Sequence, residues 1–232
     1  MSFLNRDHIQ HKAVRNEIIR TTLRMNELGI NQGKAGNVSV RMDAPSPQRG
    51  ESWDGEFLIT PTGIPYEETR PEQIVAMRMD GTHEGEVLPS SEWRFHRDIY
   101  AARNEVNAIV HTHAPYATTL ACMDRSIPSF HYMIAVAGGN DIRCAPYATF
   151  GTQQLSDHVI NALCDRKACL MSHHGMIACG DNLQTALALA VEIETLARMY
   201  WQALQIGEPA LLDEVEMRVV IDKFQTYGQQ PL

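Results

Sequence analysis

The chain has 232 residues, 44% of them apolar and 21% charged, with a formal net charge of −8. Those proportions are ordinary for a globular protein and fit one large domain over 1–232, with a core that needs no disulfide staples. The acidic balance and the lack of any basic stretch exclude general nucleic-acid binding, which sets clustered Lys and Arg against phosphates.

A small phosphorylated ligand stays open, because one oxyanion needs only a local nest of donors. The five cysteines, Cys122, Cys144, Cys164, Cys169 and Cys179, are scattered and form no CxxC pair, so they read as thiols of a reducing compartment. The first eight residues lack an apolar signal core, and Glu192, Glu194 and Arg198 interrupt the apolar run Leu183–Ile206. A cytoplasmic protein with no membrane partner is expected.

In chain order, residues 7–28 read as an amphipathic helix carried by Val14, Ile18, Ile19, Leu23 and Leu28 and stopped by Gly29. A glycine-rich turn from Gly33 runs into a short strand ending at Arg41. Residues 43–55 are polar and rich in Pro and Gly, as in an exposed hairpin tip. Strands are expected at 56–60 and 74–79, either side of a turn through Pro61, Thr62 and Gly63. Pro89, Ser90, Ser91 and Glu92 read as a serine-capped helix start with an acid in the first turn, the helix running towards Arg103.

Val106–His113 has the character of a buried strand. Residues 128–142 mix strand-like and glycine-rich pieces. A helix over 151–164 precedes a short strand, 168–171, that leads into His173, His174 and Gly175. Asn182 can cap a long helix ending at Gly207, and a last helix fits 213–224. Helices alternate with short strands around a sheet, so the class is α/β or α+β.

The sharpest local feature is His111-Thr112-His113. Residues two apart on a strand share a face, so two imidazoles can stand side by side. A catalytic zinc site takes three protein ligands and keeps one position open. His174 or His173, in the turn after another strand, could complete the set, and spacing alone does not choose between them. Glu92 reads either as a helix-start acid or as a base poised beside a metal. Gly36–Asn37, Thr62–Gly63 and Ser90–Ser91 each offer turn or helix-start donors suited to an anion. The glycine-rich loop has neither Walker nor dinucleotide spacing.

With those residues in view, the chain resembles the class II aldolase/adducin family over nearly its whole length. The resemblance rests on the runs 31–41, 58–66 and 88–96, then on 125–128, 131–135, 144–152, 173–175 and 223–228, in order and at compatible spacings. It implies a three-layer α/β/α fold with a central, mainly antiparallel sheet. It implies one Zn²⁺ per subunit on His111, His113 and His174, with Glu92 approaching the metal and moving protons.

It further implies a substrate phosphate against Gly36, Asn37, Thr62, Gly63, Ser90 and Ser91. Tyr132 serves the aldehyde end, in a pocket shaped by Phe150, Phe224 and Tyr227. The assembly it implies is a homotetramer with sites at subunit interfaces, Tyr132 arriving from the neighbour. The implied reaction is reversible cleavage of L-fuculose 1-phosphate to dihydroxyacetone phosphate and L-lactaldehyde through an enediolate. Family reactions that share the metal ligands, pentulose-phosphate 4-epimerisation and sugar-acid phosphate decarboxylation, are the alternatives, with a non-enzymatic adducin-like scaffold behind them. Three departures stand out: Thr112 between the histidines, Lys34 in the glycine-rich loop, and a longer segment over 43–56.

Overall fold

The computed structural model describes residues 3–42 and 55–224, with side chains from residue 11 onward. The hairpin tip expected at 43–55 lies, except for Gly55, outside the described residues, as does Tyr227. In chain order the described elements are α1 (Phe3–Glu27), β1 (Asn37–Arg41), β2 (Glu56–Ile59), β3 (Val75–Arg78), α2 (Trp93–Ala102), β4 (Ala108–Thr112) and α3 (Pro115–Ala121). They continue with β5 (Ile127–Pro128), β6 (Asp141–Ile142), β7 (Cys144–Ala145), α4 (Gln153–Ala162), β8 (Ala168–Met171), β9 (Gly175–Gly180), α5 (Leu183–Ile206) and α6 (Glu214–Phe224).

Seven strands form one sheet in the order β3-β2-β1-β4-β9-β8-β7, and β5 pairs with β6 apart from it. Every pair is antiparallel except β7 with β8. The expected three layers are present. One face of the sheet, with Val38, Leu58, Val110, Leu170 and Met176, packs on Ile18 of α1, Leu120 of α3 and Ile193 of α5. The other face, with Phe57, Ile59, Ile109, Met171 and Ile177, packs on Phe95, Ile99 and Tyr100 of α2 and on Leu155 and Val159 of α4.

Both faces are covered, so both residue sets of each strand are apolar and the runs look continuous rather than alternating. Each fully buried Leu, Ile or Phe adds roughly 1.5–3 kcal/mol. No helix among the described residues is long and apolar enough to cross a membrane.

Helix ends follow the sequence where the cap is local. Asn182 accepts the Thr185 N–H at 2.9 Å, and Thr185 Oγ1 accepts the Asn182 N–H at 3.2 Å, a reciprocal capping box that starts α5. Where the cap is remote, the sequence is silent. The unforeseen α3 opens with Pro115, and its Tyr116 and Ala117 N–H groups donate to Glu194 of α5 at 2.9 and 2.8 Å. The mixed segment 128–142 resolves into β5, a 3-10 turn over Tyr132–Ala137, and β6.

The start of α2 departs from expectation. Its first helical residue is Trp93, and neither serine caps it. Glu92 takes the N-cap position, with φ −101° and ψ 13°, yet its side chain caps nothing. The carboxylate turns towards the end of β4 instead.

Candidate active site

His111 lies on β4 and is fully buried, its ring 5.6 Å edge-on from Phe95 of α2. His113 follows one residue beyond the strand and lands on the same side. His174 comes from the β8–β9 turn, where His173 adopts a left-handed φ of 53°. Such a conformation in a non-glycine residue costs of order 1–3 kcal/mol and needs support around it. The His173 N–H donates to Ala121 O at 3.2 Å and the His174 N–H to Met171 O at 3.0 Å. The turn thus aims His174 inward and leaves His173 exposed, edge-on to Tyr147 at 6.0 Å.

The three rings form a nearly equilateral triangle. Centroids are 5.0 Å apart for His111–His113, 4.9 Å for His111–His174 and 5.0 Å for His113–His174. One nitrogen from each ring lies within 4.8 Å of the others. Two glycines make room for this. A Cβ on Gly175 would sit 2.4 Å from Thr112 O and 3.1 Å from the His113 ring. A Cβ on Gly36 would sit 2.3 Å from His111 O.

Tautomer and charge follow from the neighbours. His111 Nδ1 lies 2.9 Å from Met176 O, and a carbonyl only accepts, so Nδ1 carries the proton and Nε2 presents a lone pair to the cluster. His113 Nε2 faces that lone pair at 3.1 Å. Burial, and then the neighbouring His111 and His174, lower His113 to about 4, which leaves it neutral near pH 7.

Glu92 is 6% exposed. Its Oε2 lies 3.2 Å from His111 Nε2 and accepts a hydrogen bond from Asn37 Nδ2 at 2.8 Å. Its Oε1 is buried and accepts no hydrogen bond from a described residue, although His174 Nε2 stands 3.0 Å away. Burial pushes the Glu92 carboxyl up, but the adjoining His111 and His174 rings outweigh it, and the group sits well below the usual carboxylate range.

Three imidazoles converging beside an orphaned carboxylate oxygen fit a divalent transition-metal ion. Tetrahedral zinc bonds of 2.0–2.1 Å place ligand nitrogens about 3.3 Å apart. The His111–Met176 bond is the outer support such a ligand needs.

A pocket of about 280 Å³ opens over this cluster, lined by Ala35, Ser91, Glu92, His113, His174, Tyr147, Phe150 and others. The three anion-suited turns are stitched together beside it. Pro61 bridges Pro89, the Thr62 N–H donates to Leu88 O at 3.0 Å, and the Ser90 N–H donates to Thr60 O at 3.0 Å. Lys34 Nζ donates to Gly63 O at 2.7 Å, and Tyr66 Oη donates to Gly36 O. Asn37 departs from expectation in one respect: its amide is engaged by Glu92 and His96, not turned outward as an anion donor.

Tyr132 and Phe224 do not join the histidines within one chain. Their rings stack at 6.4 Å and line a separate cavity of about 580 Å³, with Tyr132 half exposed. Phe150 reaches the cluster pocket, 65% exposed. Sequence reasoning missed Tyr147 and His173 as pocket walls, and missed the polar residues behind Glu92. For the latter a signal existed: Asn37 and Ser39 share a strand face, and Glu92, His96 and Tyr100 recur every fourth residue along a helix.

Comparison with known proteins gives the chain's family. The family described as the class II aldolase and adducin N-terminal domain matches residues 16–201. The L-fuculose phosphate aldolase of Escherichia coli (strain K12) is 52% identical over 221 residues, covering 95% of this chain and 98% of that one. The 5-methylthioribulose-1-phosphate/5-deoxyribulose-1-phosphate aldolase of Rhodospirillum rubrum is 52% identical over 216 residues, covering 93% of each. A solved L-fuculose 1-phosphate aldolase superposes with a TM-score of 0.84 at 39% identity, over 92% of this chain and 96% of that one. A histidine triangle at the end of the central strands of a mainly antiparallel sheet, in a sequence this similar to sugar-phosphate aldolases, leaves one conclusion: the chain belongs to the class II aldolase/adducin family, on its aldolase side.

Proposed function

We propose that the protein cleaves a ketose 1-phosphate reversibly into dihydroxyacetone phosphate and a short aldehyde, with L-fuculose 1-phosphate, giving L-lactaldehyde, as the substrate of first choice. The observation that carries this is the histidine triangle with Glu92 Oε1 left unbonded beside it. His111, His113 and His174 would hold one zinc ion, which when bound would supply a Lewis acid for the ketose carbonyl.

The remaining work falls to the chain's own residues. In cleavage the C4 hydroxyl loses its proton, the C3–C4 bonding pair passes towards the C2 carbonyl, and C3 is then reprotonated. Glu92 returns that proton to C3, or removes it in the condensation direction, through Oε1, the oxygen that Asn37 does not hold. Gly36, Thr62, Gly63, Ser90 and Ser91 hold the phosphate, with Asn37 at the base of the nest. Lys34 brings a positive charge to its rim, where its ammonium meets Gly63 O. Fixing the phosphate places C3 against Glu92, which supplies orientation.

Tyr132 exchanges the proton on the aldehyde-derived oxygen. Its place in a separate, open cavity fits a shared site in a homotetramer, in which Tyr132, with Phe224, serves the histidines and Phe150 of a neighbouring subunit. The relatives' names carry three aldehyde ends, so a 5-deoxypentulose 1-phosphate or its methylthio counterpart is the second substrate reading.

The test incubates zinc-loaded protein with these three sugar phosphates and measures dihydroxyacetone phosphate. Its appearance from L-fuculose 1-phosphate at the highest kcat/KM is expected. An epimerised or decarboxylated product without dihydroxyacetone phosphate would overturn the aldolase reading. Glu92→Gln should also stop proton exchange at C3 of dihydroxyacetone phosphate, and exchange at the wild-type rate would remove Glu92 from its role.

A further inference from the structure

Behind Glu92 a row of buried polar groups runs away from the pocket into the layer between the sheet and α2. Asn37 Nδ2 lies 2.8 Å from Glu92 Oε2, and His96 Nε2 lies 2.5 Å from Asn37 Oδ1. Ser39 Oγ lies 2.7 Å from His96 Nδ1 and 2.7 Å from Tyr100 Oη. All five residues are nearly or fully buried. The register is built by two periods: Asn37 and Ser39 are two apart on β1, and Glu92, His96 and Tyr100 are four apart at and along α2.

The direction of every bond follows from the first. A carboxylate only accepts, so the amide NH₂ of Asn37 must face Glu92, which leaves its Oδ1 towards His96. A carbonyl oxygen cannot donate, so His96 Nε2 carries the proton. Burial holds His96 neutral, its pKa lowered to about 3, so Nδ1 is bare and Ser39 must donate to it. Ser39 Oγ is then free to accept from Tyr100, whose phenol burial keeps protonated. Four bonds run in one sense, from Tyr100 to Glu92. Without His96 the Oδ1 of Asn37 loses its donor, and the amide is held at the Glu92 end alone.

We infer that His96, Ser39 and Tyr100 are positioning residues that lock the amide of Asn37, so that one oxygen of Glu92 is held and the other is left for proton transfer. This rests on Glu92 acting as the base. No ligand contact is required of the row: it acts through Asn37 alone.

The experiment combines two variants with a spectrum. Partners of this outer kind typically change activity 10- to 100-fold. His96→Leu should therefore lower kcat by about 10- to 100-fold while KM stays within about twofold and one metal per chain is retained, and the loss should exceed that of a variant equally lowered in melting temperature elsewhere in the core. His96→Gln can still donate to Asn37 Oδ1 and should recover part of the loss. In ¹⁵N-histidine spectra of the metal-free wild type, His96 should be the neutral Nε2–H tautomer between pH 6 and 9. A proton found on Nδ1, or a wild-type kcat in His96→Leu, would overturn the inference. Equal loss in both variants, tracking a lower melting temperature, would do the same. If His96→Leu does not fold, Ser39→Ala takes its place, with a smaller fall in kcat expected and an unchanged kcat fatal. Glu92→Gln separates the two claims: if it stays active, the base assignment fails; if it is dead while His96→Leu is intact, only the positioning role fails.

Discussion

The Nδ1–H of His111 donates to the carbonyl of Met176 across the β4–β9 pair, at 2.9 Å. That single bond fixes both the tautomer and the direction of the ring, and points Nε2 at His113 and Glu92. The same strand pair supplies the support and the space. Met176 follows Gly175, whose missing side chain lets β9 pass the two histidines at the end of β4.

Gly175→Ala should therefore damage site and fold together. Its Cβ would meet the Thr112 carbonyl at 2.4 Å, a backbone atom that cannot swing away. A loss of about 1–3 kcal/mol is expected, as for other overpacked sites, with weaker metal binding. Chemical denaturation and metal analysis check both; unchanged values for each would refute the packing argument.

Acidity acts on the metal-free protein in a defined direction. His113 and His96 are lowered to about 4 and about 3, chiefly by burial, against about 6.5 in an unfolded chain. As pH falls below that value, the unfolded chain takes up protons that the folded one refuses, so stability drops. Glu92, held below its usual range, adds a loss in the same sense at lower pH. The melting temperature should fall steadily from pH 7 to pH 4, and a flat profile would contradict these assignments.

The parts of the site that follow strand periodicity were legible in the sequence. His111 and His113 share a face because they are two apart, and the neighbouring β8 strand and Gly175 mark the turn that brings the third histidine. Choosing His174 over His173 was not legible from spacing, because the left-handed φ of His173 makes that choice and the sequence does not display it. Glu92 was legible as a helix-start acid, yet its carboxylate leaves the cap position unserved to face the cluster. The start of α3 stayed hidden because Glu194, 78 residues from Tyr116, provides its cap. His96 looked idle because its partners lie on β1, 57 and 59 residues away, and only the packing of α2 on the sheet brings them together.

Lys34 should act on the phosphate and not on the chemistry. Lys34→Met is expected to raise KM for a ketose 1-phosphate about 3- to 10-fold at low salt, with kcat nearly unchanged and the gap closing as salt rises, as for an exposed charge. Inorganic phosphate should inhibit the variant correspondingly less. A KM unaffected at low ionic strength would take Lys34 off the nest.

Shared sites predict rescue by mixing. Tyr132→Phe and His111→Ala chains, each nearly inactive alone, should regain activity when unfolded and refolded together. At equal ratio about a quarter of the sites would pair an intact histidine cluster with an intact tyrosine, if assembly is random. No recovery from a mixture that forms mixed oligomers would place Tyr132 outside its neighbour's site.

The most direct measurement is a zinc titration of metal-free protein, following dihydroxyacetone phosphate released from L-fuculose 1-phosphate. Activity should rise linearly and break at one equivalent per chain, with His174→Ala showing neither the rise nor the break. Full activity before any metal is added, or a rise that His174→Ala reproduces, would contradict a reaction centred on the three histidines.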